Sequence, residues 1–152
     1  KELKELDVGL NQISDIKILG NVKFEKLEKL GLGDNQISNI RALQKANFKE
    51  LKILDLSYNQ ISDINVLENV KFEKLERLNL SNNKISNINV FKNVKFEKLE
   101  KLYLSHNQIS DIKILEKVNF KKLKELDLSD NEFEKNPLFI NNLQSKIKNV
   151  YI

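Results

Sequence analysis

The stretch "LSYNQISDI", residues 56–64, decides the fold because it does not occur only once. It returns as "VGLNQISDI" at 8–16, "LGDNQISNI" at 32–40 and "LSHNQISDI" at 104–112. Aligning the copies places Asn11, Asn35, Asn59, Asn83, Asn107 and Asn131 at steps of 24 residues. Self-similarity at one fixed period of this size signals stacked repeats, each burying its apolar surface against its neighbours. The residue before the Asn changes from copy to copy while the Asn itself does not, and that contrast needs a physical reason.

The units begin at Leu3, Leu27, Leu51, Leu75, Leu99 and Leu123 and open L-x-x-L-x-L/V-x-x-N. The first five continue I-x-x-I-x-x-L/F and close on Phe24, Phe48, Phe72, Phe96 and Phe120. This pattern resembles the leucine-rich repeat, over the whole chain. The resemblance implies an α/β solenoid over residues 1–152: a right-handed horseshoe with a parallel concave sheet and a convex side of short helical or 3₁₀ turns. The run "NQISDI" resembles the repeats of bacterial internalin-type surface proteins and of the leucine-rich regulatory subunit of protein phosphatase 1. Those repeats are about two residues shorter, and the closing "V-K-F-E-K" segment is where this sequence departs from them.

Each repeated position has its own physical task. In the fourth unit Leu78 and Leu80 flank Asn79, the alternation of a short strand with one buried face. Ile85, Ile88 and Phe91 follow at intervals of three, which suits a 3₁₀-like return turn. A ladder Asn carries two amide donors and a carbonyl acceptor, enough to satisfy backbone groups where the chain leaves the strand. The resemblance extends that structural role to all six Asn. Ser14, Ser38, Ser62, Ser86 and Ser110 are expected to make local side-chain to backbone bonds at the turn.

The sixth unit breaks the pattern. Phe133 stands where the others have Ile, and "PLFINNLQSKI" spaces Leu138, Phe139, Leu143 and Ile147 for a short helix with Pro137 in its first turn. "IKNVYI" then restarts the strand spacing as a partial repeat over 147–152. The chain starts inside a repeat and contains no Met, so it is expected to be part of a longer protein. Within this stretch Leu3, Leu6 and Val8 are expected to be left without a preceding repeat to cover them. The expected state is a monomer, with edge-to-edge association open to it.

Composition narrows the function classes. With no Cys there are no disulfides, which favours a cytoplasmic setting over a secreted or cell-surface one. No apolar run approaches the ~18 residues of a membrane span. The net charge of +4 is spread over interleaved Lys and Glu, as in "KFEKLEKL", and only Arg41 and Arg77 carry a guanidinium, so no nucleic-acid partner is expected. One His and no Cys leave no multi-histidine or thiolate metal site, and no cofactor is expected. His106 and Asp130 occupy one slot of neighbouring repeats, each after a Ser, but Ser57, Ser81, Ser105 and Ser129 share that slot and mark it as architecture. Asp55 and Asp127 lie three strands apart, about 14 Å, beyond the reach of a paired-carboxylate glycosidase. The chain reads as no enzyme.

What remains is a protein-binding scaffold. The slots facing outward from the strands vary, and among them Ile53, Tyr58, Arg77, Tyr103, His106, Asp127, Asp130 and Tyr151 form the candidate partner-binding set. Tyr and Arg are over-represented at binding hot spots. Tyr103 and Tyr151 should flank Asp127 from alternate strands, and His106 beside Asp130 would add a modest pH dependence to binding. Ordinary exposed strand residues would give the same composition, since Tyr is a good strand former. Two other classes stay open at this point: the repeat region of a larger enzyme or kinase, and a nucleic-acid-associated scaffold.

Overall fold

The computed structural model describes residues 2–152. Seven three-residue strands make one sheet: β1 (Glu5–Asp7), β2 (Lys29–Gly31), β3 (Ile53–Asp55), β4 (Arg77–Asn79), β5 (Lys101–Tyr103), β6 (Glu125–Asp127) and β7 (Asn149–Tyr151). They run parallel in chain order, with no crossing of the sequence order. The register advances by the repeat length at every step, so Leu6, Leu30, Leu54, Leu78, Leu102, Leu126 and Val150 form one row. Short 3₁₀ turns return the chain at Lys17–Gly20, Arg41–Gln44, Asn65–Asn69, Asn89–Lys92 and Lys113–Glu116. This is the leucine-rich-repeat solenoid.

The core is that row and its neighbours stacked along the axis. Leu30, Leu54, Leu78, Leu102 and Leu126 are fully buried, as are Ile37, Ile61, Ile85 and Ile109 on the exit side. Phe48 stacks on Phe72 with centroids 6.2 Å apart, and Phe91 meets Phe120 edge-on at 5.9 Å. Burial fades at both ends: Leu6, Val8, Phe24 and Val150 are only partly covered. No lysine of the "F-E-K" segments is buried.

The ladder Asn side chains tie each repeat to the one before it. Asn83 Oδ1 accepts from the Ile61 N–H at 2.9 Å, while its amide donates to the carbonyls of Leu56, Leu80 and Ser81. Asn35, Asn59, Asn107 and Asn131 repeat this set with their own neighbours. Asn11 does not. Its amide reaches only Val8 and Gly9 of its own repeat, and the residue is exposed, because no earlier repeat stands within these residues for it to clamp.

Two details of the return turn differ from the sequence expectation. Ile85 and Ile88 precede the 3₁₀ turn and only Phe91 lies within it. The expected bonds from Ser14, Ser38, Ser62, Ser86 and Ser110 are not the ones that form. The next residue does that work: Asp15, Asn39, Asp63, Asn87 and Asp111 each accept, through Oδ1, from the backbone N–H two residues on, at 2.8–2.9 Å. Such an Asx bond nucleates a turn. At Asp15 the Lys17 N–H, helped by the Lys17 side chain, holds the carboxyl below its usual range.

The sixth repeat replaces its 3₁₀ turn with helix α1 (Pro137–Lys146). Asn136 caps it, accepting from the N–H groups of Leu138 at 3.0 Å and Phe139 at 3.2 Å, with Pro at the first turn where no N–H is needed. Leu143 is the buried residue of the helix, and Phe133, just before it in the chain, is buried as well.

The freedom of the residue before each ladder Asn is chemical, not conformational. Leu10, Asp34, Tyr58, Asn82, His106 and Asp130 all sit in the left-handed region, at φ 51–56°. Asn, Asp and His are the types that tolerate this; Leu and Tyr are strained there. Tyr58 is exposed and sits mid-chain, so Tyr58→Asn should raise stability by up to about 1 kcal/mol in chemical denaturation. An unchanged or lower midpoint would mean that Tyr58 makes compensating contacts in the fold.

Candidate functional site

Alternation along each strand turns one side chain into the core and sends its two neighbours to the open face of the sheet. That face carries two rows. The first row is Glu5, Lys29, Ile53, Arg77, Lys101, Glu125 and Asn149; the second is Asp7, Gly31, Asp55, Asn79, Tyr103, Asp127 and Tyr151. The register sets Tyr103, Asp127 and Tyr151 side by side on β5, β6 and β7. Tyr58, His106 and Asp130 lie elsewhere: each is in the turn three residues past the end of its strand, along the rim of the face.

The two rows are joined at one knot. The Arg77 guanidinium lies over the Tyr103 ring, 5.0 Å from its centroid. The Tyr103 hydroxyl donates to Glu125 Oε1 at 2.8 Å, and Lys101 Nζ holds the other carboxylate oxygen at 3.0 Å. Tyr103 is thus clamped, half-buried, and presents a rigid ring edge. The Lys101 ammonium first, and the Tyr103 hydroxyl second, hold the Glu125 carboxyl below the usual range. Burial first, and the Glu125 carboxylate second, push the Tyr103 hydroxyl above its own. Lys101 and Glu125 escaped the sequence reading as site residues; their signal was the opposite charge of two residues one repeat apart in the same row.

Glu125 gives a pH test with a definite sign. Its folded-state value is depressed, so its contribution to stability is complete above the unfolded value, near ~4.3, and is lost as pH falls through the folded one. The parent's melting midpoint should therefore drop across roughly pH 5 to pH 3 more steeply than that of Glu125→Gln. Parallel curves would mean that Glu125 is not tied to Lys101 and Tyr103 in solution.

Other candidates are occupied differently from what their residue types suggest. Asp127 Oδ1 accepts from both the N–H, at 3.0 Å, and the hydroxyl, at 2.6 Å, of Ser129, so it caps the strand exit. Asp55 does the same for Ser57. His106 Nε2 lies 3.2 Å from Asp130 Oδ2, both side chains more than half exposed. Ser105, by contrast, is buried and donates to Ser81 Oγ at 3.0 Å. Ile53, half-buried, lies between Lys29 and Arg77 in the first row. Tyr151 and Tyr58 are about half exposed, at 51% and 55%. At the other end of the face a Cβ at Gly31 would meet Asp7 Oδ1 at 2.6 Å, so a larger residue there would have to displace the Asp7 side chain.

Comparison with known proteins agrees with this architecture. Family profiles described as leucine-rich repeats match residues 2–16, 25–85 and 97–147. The chain belongs to the leucine-rich repeat proteins. No curated protein sequence matches it. Among solved structures, an internalin of Listeria monocytogenes is 31% identical, with TM-score 0.76, over 95% of this chain and 39% of that one. A plant peptide hormone receptor, RGFR1, solved in complex with RGF2, shares the fold at 24% identity and TM-score 0.69, over 99% of this chain and 25% of the receptor. The PEPR1–AtPEP1 structure aligns at 26% identity and TM-score 0.66, over 86% of this chain and 18% of that one. The chain thus spans well under half the length of these structures. Leucine-rich-repeat families are commonly non-enzymatic interaction domains. Among the described residues no helix is long and apolar enough to cross a membrane.

Proposed function

We propose that this chain is a non-enzymatic scaffold that binds a protein partner on the open, concave face of its sheet, at the C-terminal half. The observation that carries this reading is the clamped Tyr103. Arg77, Glu125 and Lys101 fix its ring on the same face as the exposed Tyr151, so a partner meets an aromatic surface that is already ordered before binding. Aromatic anchors rimmed by charge are typical of hot spots, and a single open sheet offers breadth without the depth a small ligand needs. Asp127 lies between the two tyrosines in the row, His106 and Asp130 line the adjoining rim, and Ile53, Tyr58 and Arg77 extend the surface toward the middle. Relatives of the fold whose structures include a bound partner support a protein or peptide ligand for this chain.

The test is capture of partners from a native extract of the source cells by the immobilised chain. Tyr103→Ala and Tyr151→Ala should each reduce capture by at least about 30-fold in affinity, the size of a hot-spot truncation. Lys71→Ala, in the exposed segment that leads from the third 3₁₀ turn to β4, should leave it unchanged. Loss with Lys71→Ala and none with the tyrosine changes would move the site off the sheet.

A further inference from the structure

The segments that lead into the strands stack one above another, just as the strands do. One column runs through Glu2, Lys26, Glu50, Lys74, Lys98 and Lys122, one residue per repeat, and Lys146, the last residue of α1, holds the corresponding sequence position three residues before β7. In its first part the charges alternate, and they touch: Lys26 Nζ lies 3.1 Å from Glu2, and Lys74 Nζ lies 2.6 Å from Glu50. The column two residues on behaves alike, with Lys52 on Glu28 at 2.7 Å and Lys124 on Glu100 at 2.9 Å. These contacts establish that side chains one repeat apart in a column are within reach of each other. After Lys74 the alternation stops. Lys98, Lys122 and Lys146 follow as three cations, all exposed, and among the described residues none of them forms an ion pair. Lys121 and Lys148 add to the same end of this flank.

Like charges stacked at repeat spacing repel, so this run costs the fold stability that the first half of the column gains by alternating. We propose that the Lys98–Lys122–Lys146 column is a second interaction surface, on the flank of the solenoid beside the C-terminal half of the sheet, and that it takes an acidic segment of a protein partner. Charge complementarity names the occupant: carboxylates of an extended acidic chain would complete the ladder as Glu2 and Glu50 do earlier in it. Nucleic acid fits less well. The flank carries no Arg fork for phosphate, and the aromatic rings nearest to it in sequence, Phe96 and Phe120, are turned into the core and its edge, so bases find nothing to stack on. Glu97 and Glu100 at its margin would also repel a continuous polyanion more than discrete carboxylates. This surface is separate from the sheet face and stands whether or not Tyr103 and Tyr151 bind.

The experiment uses fluorescein-labelled oligo-glutamate as the probe, read by anisotropy at low ionic strength, with oligo-serine and a single-stranded RNA of equal length beside it. The parent should bind oligo-glutamate and ignore oligo-serine. The double variant Lys98→Glu/Lys122→Glu should weaken binding by more than about tenfold. Lys23→Glu/Lys45→Glu, the same charge change on exposed lysines of the first two repeats, should weaken it about twofold or less. The single variant Lys122→Glu restores alternation between Lys98 and Lys146. It should lose most of the binding while its melting midpoint rises, which separates loss of the surface from loss of the fold. Equal losses from both double variants would reduce the effect to net charge and overturn the proposal, and so would a falling midpoint in Lys122→Glu. Tighter binding of the RNA than of oligo-glutamate, with the same dependence on Lys98 and Lys122, would overturn it in favour of a nucleic-acid surface.

Discussion

Asn83→Ala should lower stability by about 3 kcal/mol, while Asn11→Ala changes it by less than about 0.5. Both residues stand at the same place in the repeat, and sequence alone assigns them the same role. They differ in what the structure puts around them. The Ile61 N–H has the Asn83 oxygen as its partner, and the amide bridges carbonyls of two repeats in a buried setting. Removing the side chain leaves those groups dry and unmatched. Asn11 is exposed, and water replaces its two bonds. Asn79→Ala, four residues before Asn83, should cost under about 1 kcal/mol, since it removes only the 3.1 Å bond to the Ser81 N–H. Urea midpoints of the three variants check this. Equal midpoints for Asn83→Ala and Asn11→Ala would mean that the ladder does not couple the repeats.

Leu78→Ala should cost about 2–5 kcal/mol, because a fully buried side chain between two repeats leaves a cavity that stacked strands cannot close. Val150→Ala, in the same row of the sheet, should cost about 1 kcal/mol or less: β7 has a neighbour on one side only within these residues and Val150 is partly exposed. Native-state hydrogen exchange should show the same gradient, slowest in β3 to β5 and faster toward both ends. Equal costs at Leu78 and Val150 would mean that the last strand is as well covered as the central one.

The period carried most of the fold on its own. A Leu every 24 residues can only stack if each strand is displaced by one whole repeat, and the observed register is that displacement. The helix Pro137–Lys146 was legible too, from Asn136 and Pro137 at its start and from the spacing of Leu138, Phe139 and Leu143 along it.

Three things were not legible. The left-handed backbone before each ladder Asn is a conformation shared by side chains as unlike as Leu, Asp and His, and nothing in Leu10 or Tyr58 announces it. Asp55 and Asp127 look like free carboxylates on an exposed face, but each folds back onto a Ser two residues on, a local bond that residue identity alone does not distinguish from availability. The clamp on Tyr103 needs side chains from β4, β5 and β6 at once, and the sequence shows only that they fall in neighbouring rows. The aromatic candidates were therefore found by type, while the reason one of them is rigid came from the partners around it.

A protein partner docked on the sheet face at β5 to β7 is the central claim. Its most direct measurement places a photo-crosslinking benzoylphenylalanine at position 151 or, in a second variant, at position 71, and irradiates each in native extract. Docking on the sheet predicts a discrete protein adduct from position 151 that is lost when Tyr103→Ala is added, and none from position 71. An adduct from position 71 alone, or one from position 151 that persists unchanged with Tyr103→Ala, would contradict it.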